Sequence, residues 1–110
     1  MQKNIATVWD SKQAQQLVEA LLSIDSAQTM QNFLRDAMTE KEIIEISARL
    51  EAARMLTAGA KYTDITKKTK LSSRTVARIS DWLQNGCNGY QAALKTLNTH
   101  HSHISPVRAE

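Results

Sequence analysis

The 110-residue chain has one cysteine, one proline, three glycines and 5% aromatic residues. A lone Cys87 excludes a disulfide framework and a cysteine-based zinc site. The only proline, Pro106, lies near the C-terminus, so nothing upstream of it breaks helical periodicity. Scarce glycine leaves no glycine-rich loop of the kind that cradles phosphates. No apolar run approaches the roughly 20 residues that cross a bilayer, and MQKNIATVWDSKQ at the N-terminus lacks the apolar stretch of a secretion signal. A cytoplasmic location, with no membrane among the partners, is the resulting expectation. His100, His101 and His103 sit in NTHHSHISPVRAE, which reads as a mobile polar tail rather than a metal site. That leaves no histidine upstream for acid–base work and no nucleophile with its base. Glu40, Glu42 and Glu45 crowd a helix start, where they suit its dipole. Catalysis finds no footing, and neither a cofactor nor a metal is expected.

What is present is helix and unevenly placed charge. The net charge is only +3. Residues 1–60 carry six basic and eight acidic side chains. Residues 61–78 carry Lys61, Lys67, Lys68, Lys70, Arg74 and Arg78 against the single Asp64. Positive potential concentrated in one segment calls for an anionic partner, although a solvated face has the same composition.

The hydrophobic periodicity is helical throughout, and the fold class expected is all-α. Ala14, Leu17, Val18, Leu21 and Leu22 recur at helical spacing after Asp10 or Ser11 as N-cap. Ala27, Met30, Phe33, Leu34 and Ala37 line a second helix after Asp25 or Ser26. Thr39-Glu40-Lys41-Glu42 has the spacing of a capping box and opens a third helix, which Gly59 stops after Ala58. That third helix, about 30 Å long at 1.5 Å per residue, is apolar on two sides. Ile43, Ile46, Leu50 and Ala53 make one stripe; Ile44, Ala48, Ala52, Met55 and Leu56 make the other. A surface helix needs one stripe only, so a second copy of the chain is the expected partner for the other.

The basic segment then reads as two short helices through a tight turn, the first capped by Thr63 and the second by Ser72 or Ser73. Ile65, Leu71, Val76 and Ile79 fall inward at the spacing of a helix-turn-helix over about residues 62–84. Ser73, Arg74, Thr75 and Arg78 fall outward on the second helix and are the base-reading candidates, arginine because it pairs bidentately with guanine. Lys61, Thr63, Lys67, Lys68, Lys70 and Ser72 suit phosphates, where charge matters more than geometry. The usual pattern has a small residue inside the first helix and glycine at the turn. Those positions hold Thr66 and Lys70, and a lysine in a left-handed conformation costs about 1 kcal/mol. Trp82, further along the second helix, is expected to pack between head and core, and Trp9 to anchor the leader. Tyr90, Ala93, Leu94 and Leu97 form the core stripe of a last helix.

From Phe33 to about Leu97 the chain resembles the Trp repressor superfamily, especially its YerC/YecD-type branch. The resemblance is carried by FLRDAMTEKEIIEISARLEAARML, by G-x-x-Y-x-D-I in GAKYTDI, by TVARIS and by NGYQAAL. It implies a six-helix fold, an intertwined homodimer, double-stranded DNA as partner and a role in transcriptional regulation, with repression the expected sense. Three parts follow: a leader over 1–10, a helical DNA-binding domain over 11–98 and a flexible tail over 99–110. The resemblance also implies where an effector would sit, among Arg49, Thr57, Arg78 and Ile79. Arg78 matches the arginine that clamps tryptophan from the recognition helix, while Thr57 stands where a second clamping arginine is expected. Ile79 stands where a glycine makes room, so no response to tryptophan is expected. An architectural or replication-associated DNA binder, and a helical adaptor for an acidic partner, remain open at this point.

Overall fold

The computed structural model describes residues 8–103, with side-chain surroundings given through Leu97. Six helices have both ends within the described residues, and no strand occurs among them: α1 Lys12–Ser23, α2 Ala27–Ala37, α3 Glu40–Thr57, α4 Tyr62–Thr69, α5 Ser73–Asn85 and α6 Gly89–His103. The chain divides into two compact units, Met1–Ile43 and Ile44–Glu110.

In the first unit each helix start is written in the local sequence. Ser11 caps α1 by accepting from the Ala14 N–H at 3.0 Å, which resolves the Asp10-or-Ser11 alternative. Ser26 caps α2 through the Thr29 N–H at 3.1 Å. Both helices end by turning extended, at Ile24 and Met38. The capping box at the start of α3 is complete: Thr39 Oγ1 accepts from the Glu42 N–H at 3.1 Å, and Glu42 Oε1 accepts from the Thr39 N–H at 2.9 Å. The apolar residues of α1 stay largely open. Leu17 is 45% exposed and Leu22 80%.

The second unit holds the core. Ala52, Ala53, Ile65, Val76 and Ile79 are fully buried, with Leu94 nearly so; Leu50, Met55, Leu56, Ala60, Leu71, Leu83 and Tyr90 pack around them. Ala52 and Ala53 bring the small side chains of α3 into the same core as Ile65 of α4 and Val76 and Ile79 of α5. Each fully buried Ile or Val contributes about 1.5–3 kcal/mol relative to an exposed one. Of the last helix's expected stripe, Leu94 is buried and Tyr90 half-buried, whereas Ala93 and Leu97 are exposed.

The end of α3 follows from Gly59. Its φ of 87° is left-handed, a conformation that costs glycine nothing. It lets the Gly59 N–H reach Leu56 O at 3.0 Å and the Ala60 N–H reach Met55 O at 3.0 Å. Those paired bonds are a Schellman motif, with Ala60 and Met55 packed on the core beside it. The expected boundary at Ala58 is displaced by one residue, to Thr57.

Candidate nucleic-acid interface

Helices α4 and α5 pack against each other and enclose Ile65, Val76 and Ile79. Between them the chain turns at Lys70, whose φ of 65° and ψ of 11° place it in the left-handed region. This is the position a glycine usually takes. Three bonds hold it: the Lys70 N–H donates to Thr66 O at 2.9 Å, the Thr69 hydroxyl donates to Ile65 O at 2.7 Å, and the same hydroxyl accepts from the Leu71 N–H at 3.3 Å. Thr66, in the small-residue position, is half-buried and donates to Thr63 O at 3.1 Å.

Thr63 is not a cap. Helix α4 begins at Tyr62 after Lys61, which makes no side-chain capping bond, so Thr63 lies inside the first turn. The cap of α5 is Ser72: its hydroxyl accepts from the Thr75 N–H at 3.1 Å and donates to Thr75 Oγ1 at 3.0 Å. That pair occupies Thr75, which is half-buried, with helix initiation.

Ser73, Arg74, Ala77, Arg78 and Asp81 are all exposed, whereas Val76 and Ile79 are completely buried. The division follows helical periodicity: 73, 74, 77, 78 and 81 share the outward face. Neither Arg74 nor Arg78 makes an ion pair or a side-chain hydrogen bond among the described residues. Asp81, the only acid on α5, accepts from Asn85 Nδ2 at 2.9 Å. Lys61, Thr63, Lys67, Lys68, Lys70 and Ser72 are exposed as well.

Lys68 has a partner that sequence spacing could not supply. Its Nζ lies 3.1 Å from Glu51 Oε2 on α3, while Arg54 holds both oxygens of the same carboxylate at 2.9 and 2.6 Å. The bidentate Arg54 bond, joined by the Lys68 bond and opposed by partial burial, lowers the Glu51 pKa from 4.5 to about 2. The same contact raises that of Arg54. Glu51 therefore fastens the first helix of the pair to α3.

The residues expected around an effector are separately engaged. Arg49 pairs with Glu45 one turn earlier at 3.0 Å, and the Thr57 hydroxyl donates to Ala53 O at 2.9 Å. Arg78 is exposed while the adjacent Ile79 is fully buried. Trp82, expected between head and core, is 41% exposed, and Trp9 is 47% exposed. The side chains of His100, His101 and His103 lie outside the described residues, as do the seven residues after them; the α6 backbone runs on to His103. Among the described residues no helix is long and apolar enough to cross a membrane, and no three His, Cys, Asp or Glu side chains gather as metal ligands.

Residues 12–98 match the family model described as Trp repressor protein. The chain belongs to the Trp repressor family. Within it the chain is of the YerC type, being 35% identical over 83 residues to the uncharacterized protein YerC of Bacillus subtilis, a match spanning 76% of this chain and 80% of that one. A TrpR-like protein from Eubacterium eligens superposes with a TM-score of 0.79 at 32% identity, covering 84% of this chain and 95% of its own. A Staphylococcus aureus chain assigned as a Trp repressor gives 0.78 at 27% identity, covering 84% and 92%. Family and fold are those of DNA-binding regulators rather than of enzymes. In this Trp repressor family member, α4 and α5 are two packed helices joined by the tight turn at Lys70.

Proposed function

We propose that this protein is a sequence-specific transcriptional regulator, acting as a repressor, that binds double-stranded DNA through α4 and α5 as a homodimer. The observation that carries the reading is the outward face of α5. Two arginines without partners among the described residues stand beside a helix N-terminus whose free N–H groups favour phosphate. On this reading Ser73, Arg74 and Arg78 meet base edges. Thr75 Oγ1 accepts from Ser72 and so steadies the start of the helix, while its own O–H remains to donate to a base edge. Lys61, Lys67 and Lys70, with Thr63 and Ser72, meet phosphates. Lys68 joins them only by leaving Glu51.

Dimerisation is favoured by what a lone chain leaves open on α3. Ile44 is 61% exposed and Ile46 57%, far more than a long central helix normally yields to water. Indifference to tryptophan is favoured by Ile79, whose buried branched side chain stands where the resemblance expects a glycine. Thr57 adds to that argument, because it brings no charge and the Arg49 guanidinium on α3 is paired with Glu45.

The test is a salt titration of affinity on a duplex selected from a random pool and on random duplex. A regulator keeps a preference of at least a thousandfold for the selected duplex at physiological salt, with both affinities falling as salt rises. Equal affinity for the two would make the protein an architectural binder, and no affinity for either would make the basic face a docking surface for an acidic protein.

A further inference from the structure

Ala77 is the one side chain on the outward face of α5 that can donate and accept nothing. It lies three residues after Arg74, a neighbour on the same face, and is turned roughly 100° around the helix from the adjacent Arg78, so it flanks the arginines on the exposed side. The arginines are four residues, or about 6 Å, apart along the helix, close to two base steps of about 3.4 Å. Both guanidiniums are without partners among the described residues, and Ala77, between them in sequence, is exposed. Alanine is the best helix former, and that alone would explain it at any position of α5. Its position beside these two guanidiniums has a further consequence. A longer side chain there would hold the helix off the groove floor, whereas a methyl lets the backbone approach. A methyl brought against base edges has one favourable counterpart in the major groove, the C5-methyl group of thymine.

We propose that Ala77 is a specificity-determining residue that selects thymine by methyl–methyl contact, between the bases read by Arg74 and Arg78. The inference rests on the DNA-reading function proposed above and adds a base identity to it. Burial of one methyl group is worth about 0.8 kcal/mol, which is about fourfold in affinity for each bound head.

Single thymines of the selected duplex, replaced one at a time by deoxyuridine, test this directly, because only the C5-methyl is removed. The wild-type chain loses affinity about fourfold at one thymine per head and is indifferent to the rest. Ala77→Gln keeps a good helix former and every basic residue, and an unchanged circular dichroism spectrum and urea midpoint report a folded head. The variant no longer distinguishes thymine from deoxyuridine at that position, because the longer side chain keeps the backbone from approaching and the methyl contact from forming. A selected duplex on which no deoxyuridine replacement weakens the wild-type chain overturns the role of Ala77 while leaving reading by the arginines intact. Equal sensitivity in the variant and the wild type overturns it too. Failure of selection to yield any preferred duplex overturns both this inference and the function beneath it.

Discussion

Glu51→Gln removes the charge on which Arg54 and Lys68 converge. Glu51 is held at about pKa 2 in the folded chain, below its ordinary value of 4.5, chiefly by the hydrogen bonds from Arg54. A carboxylate depressed in this way binds protons less readily folded than unfolded. Its stabilisation is therefore fully present above about pH 4.5 and is lost as the pH falls towards about 2. Complete linkage over that interval would amount to about 3 kcal/mol. Solvent screens much of it, because the side chains of Glu51, Arg54 and Lys68 are 29%, 49% and 61% exposed. About 1 kcal/mol is the expected contribution near neutral pH, at the upper end for exposed pairs because one bond is bidentate.

Urea unfolding of the wild type and of Glu51→Gln, followed by circular dichroism near pH 7 and again near pH 2.5, measures this contribution. The variant should be about 1 kcal/mol less stable at the higher pH and nearly equal to the wild type at the lower. A deficit that stays constant between the two would mean that glutamine disturbs packing rather than an ion pair. The reasoning about the α3–α4 tether would then fall. A Lys68→Met background separates the partners, since any loss that survives there belongs to Arg54.

Arg74→Ala should cost about 1–3 kcal/mol on the selected duplex and little on random DNA, whereas Lys67→Ala should weaken both alike and lower the salt slope by about one. Equal losses for Arg74→Ala would make that arginine a phosphate contact. Lys70→Gly should stabilise the chain by about 1 kcal/mol in urea unfolding by relieving the left-handed lysine, and an unchanged midpoint would mean that the turn's three bonds already absorb the strain. Sedimentation equilibrium at micromolar concentration should return twice the 12.3 kDa chain mass, and a single monomeric species would end the homodimer reading. Calorimetric titration with millimolar L-tryptophan should give no saturable heat; binding tighter than about 1 mM, or roughly 4 kcal/mol, would mean that Ile79 moves aside.

The helices were legible because their signals are local. Ser11, Ser26, Thr39 with Glu42, Gly59 and Ser72 each act within a few residues of themselves, and each does in the structure what its spacing implies. The inward set Ile65, Leu71, Val76 and Ile79 was legible for a related reason: helical periodicity carries over a short turn. Thr63 misled because threonine is favoured at caps but also tolerated in a first turn. The choice fell to Lys61, which caps with its backbone alone. Trp82, expected to pack between head and core, has 41% of its surface open in the single chain.

The candidate interface was less legible than the fold, because its division of labour depends on which basic side chains are already occupied. Sequence weighed Lys67 and Lys68 equally, as adjacent lysines on one basic helix. The structure separates them through an acid seventeen residues before Lys68, a distance over which no periodicity operates. Half of that contact was visible in Glu51 and Arg54, three apart on one helix and hence neighbours on its surface. The other half needed α4 folded back onto α3. Ala77 is illegible for the opposite reason: a methyl group carries neither charge nor hydrogen-bonding group. What singles it out is the pair of guanidiniums beside it that no carboxylate has taken. A residue's availability to a partner is thus a property of the folded chain, even where its chemistry is plain in the sequence.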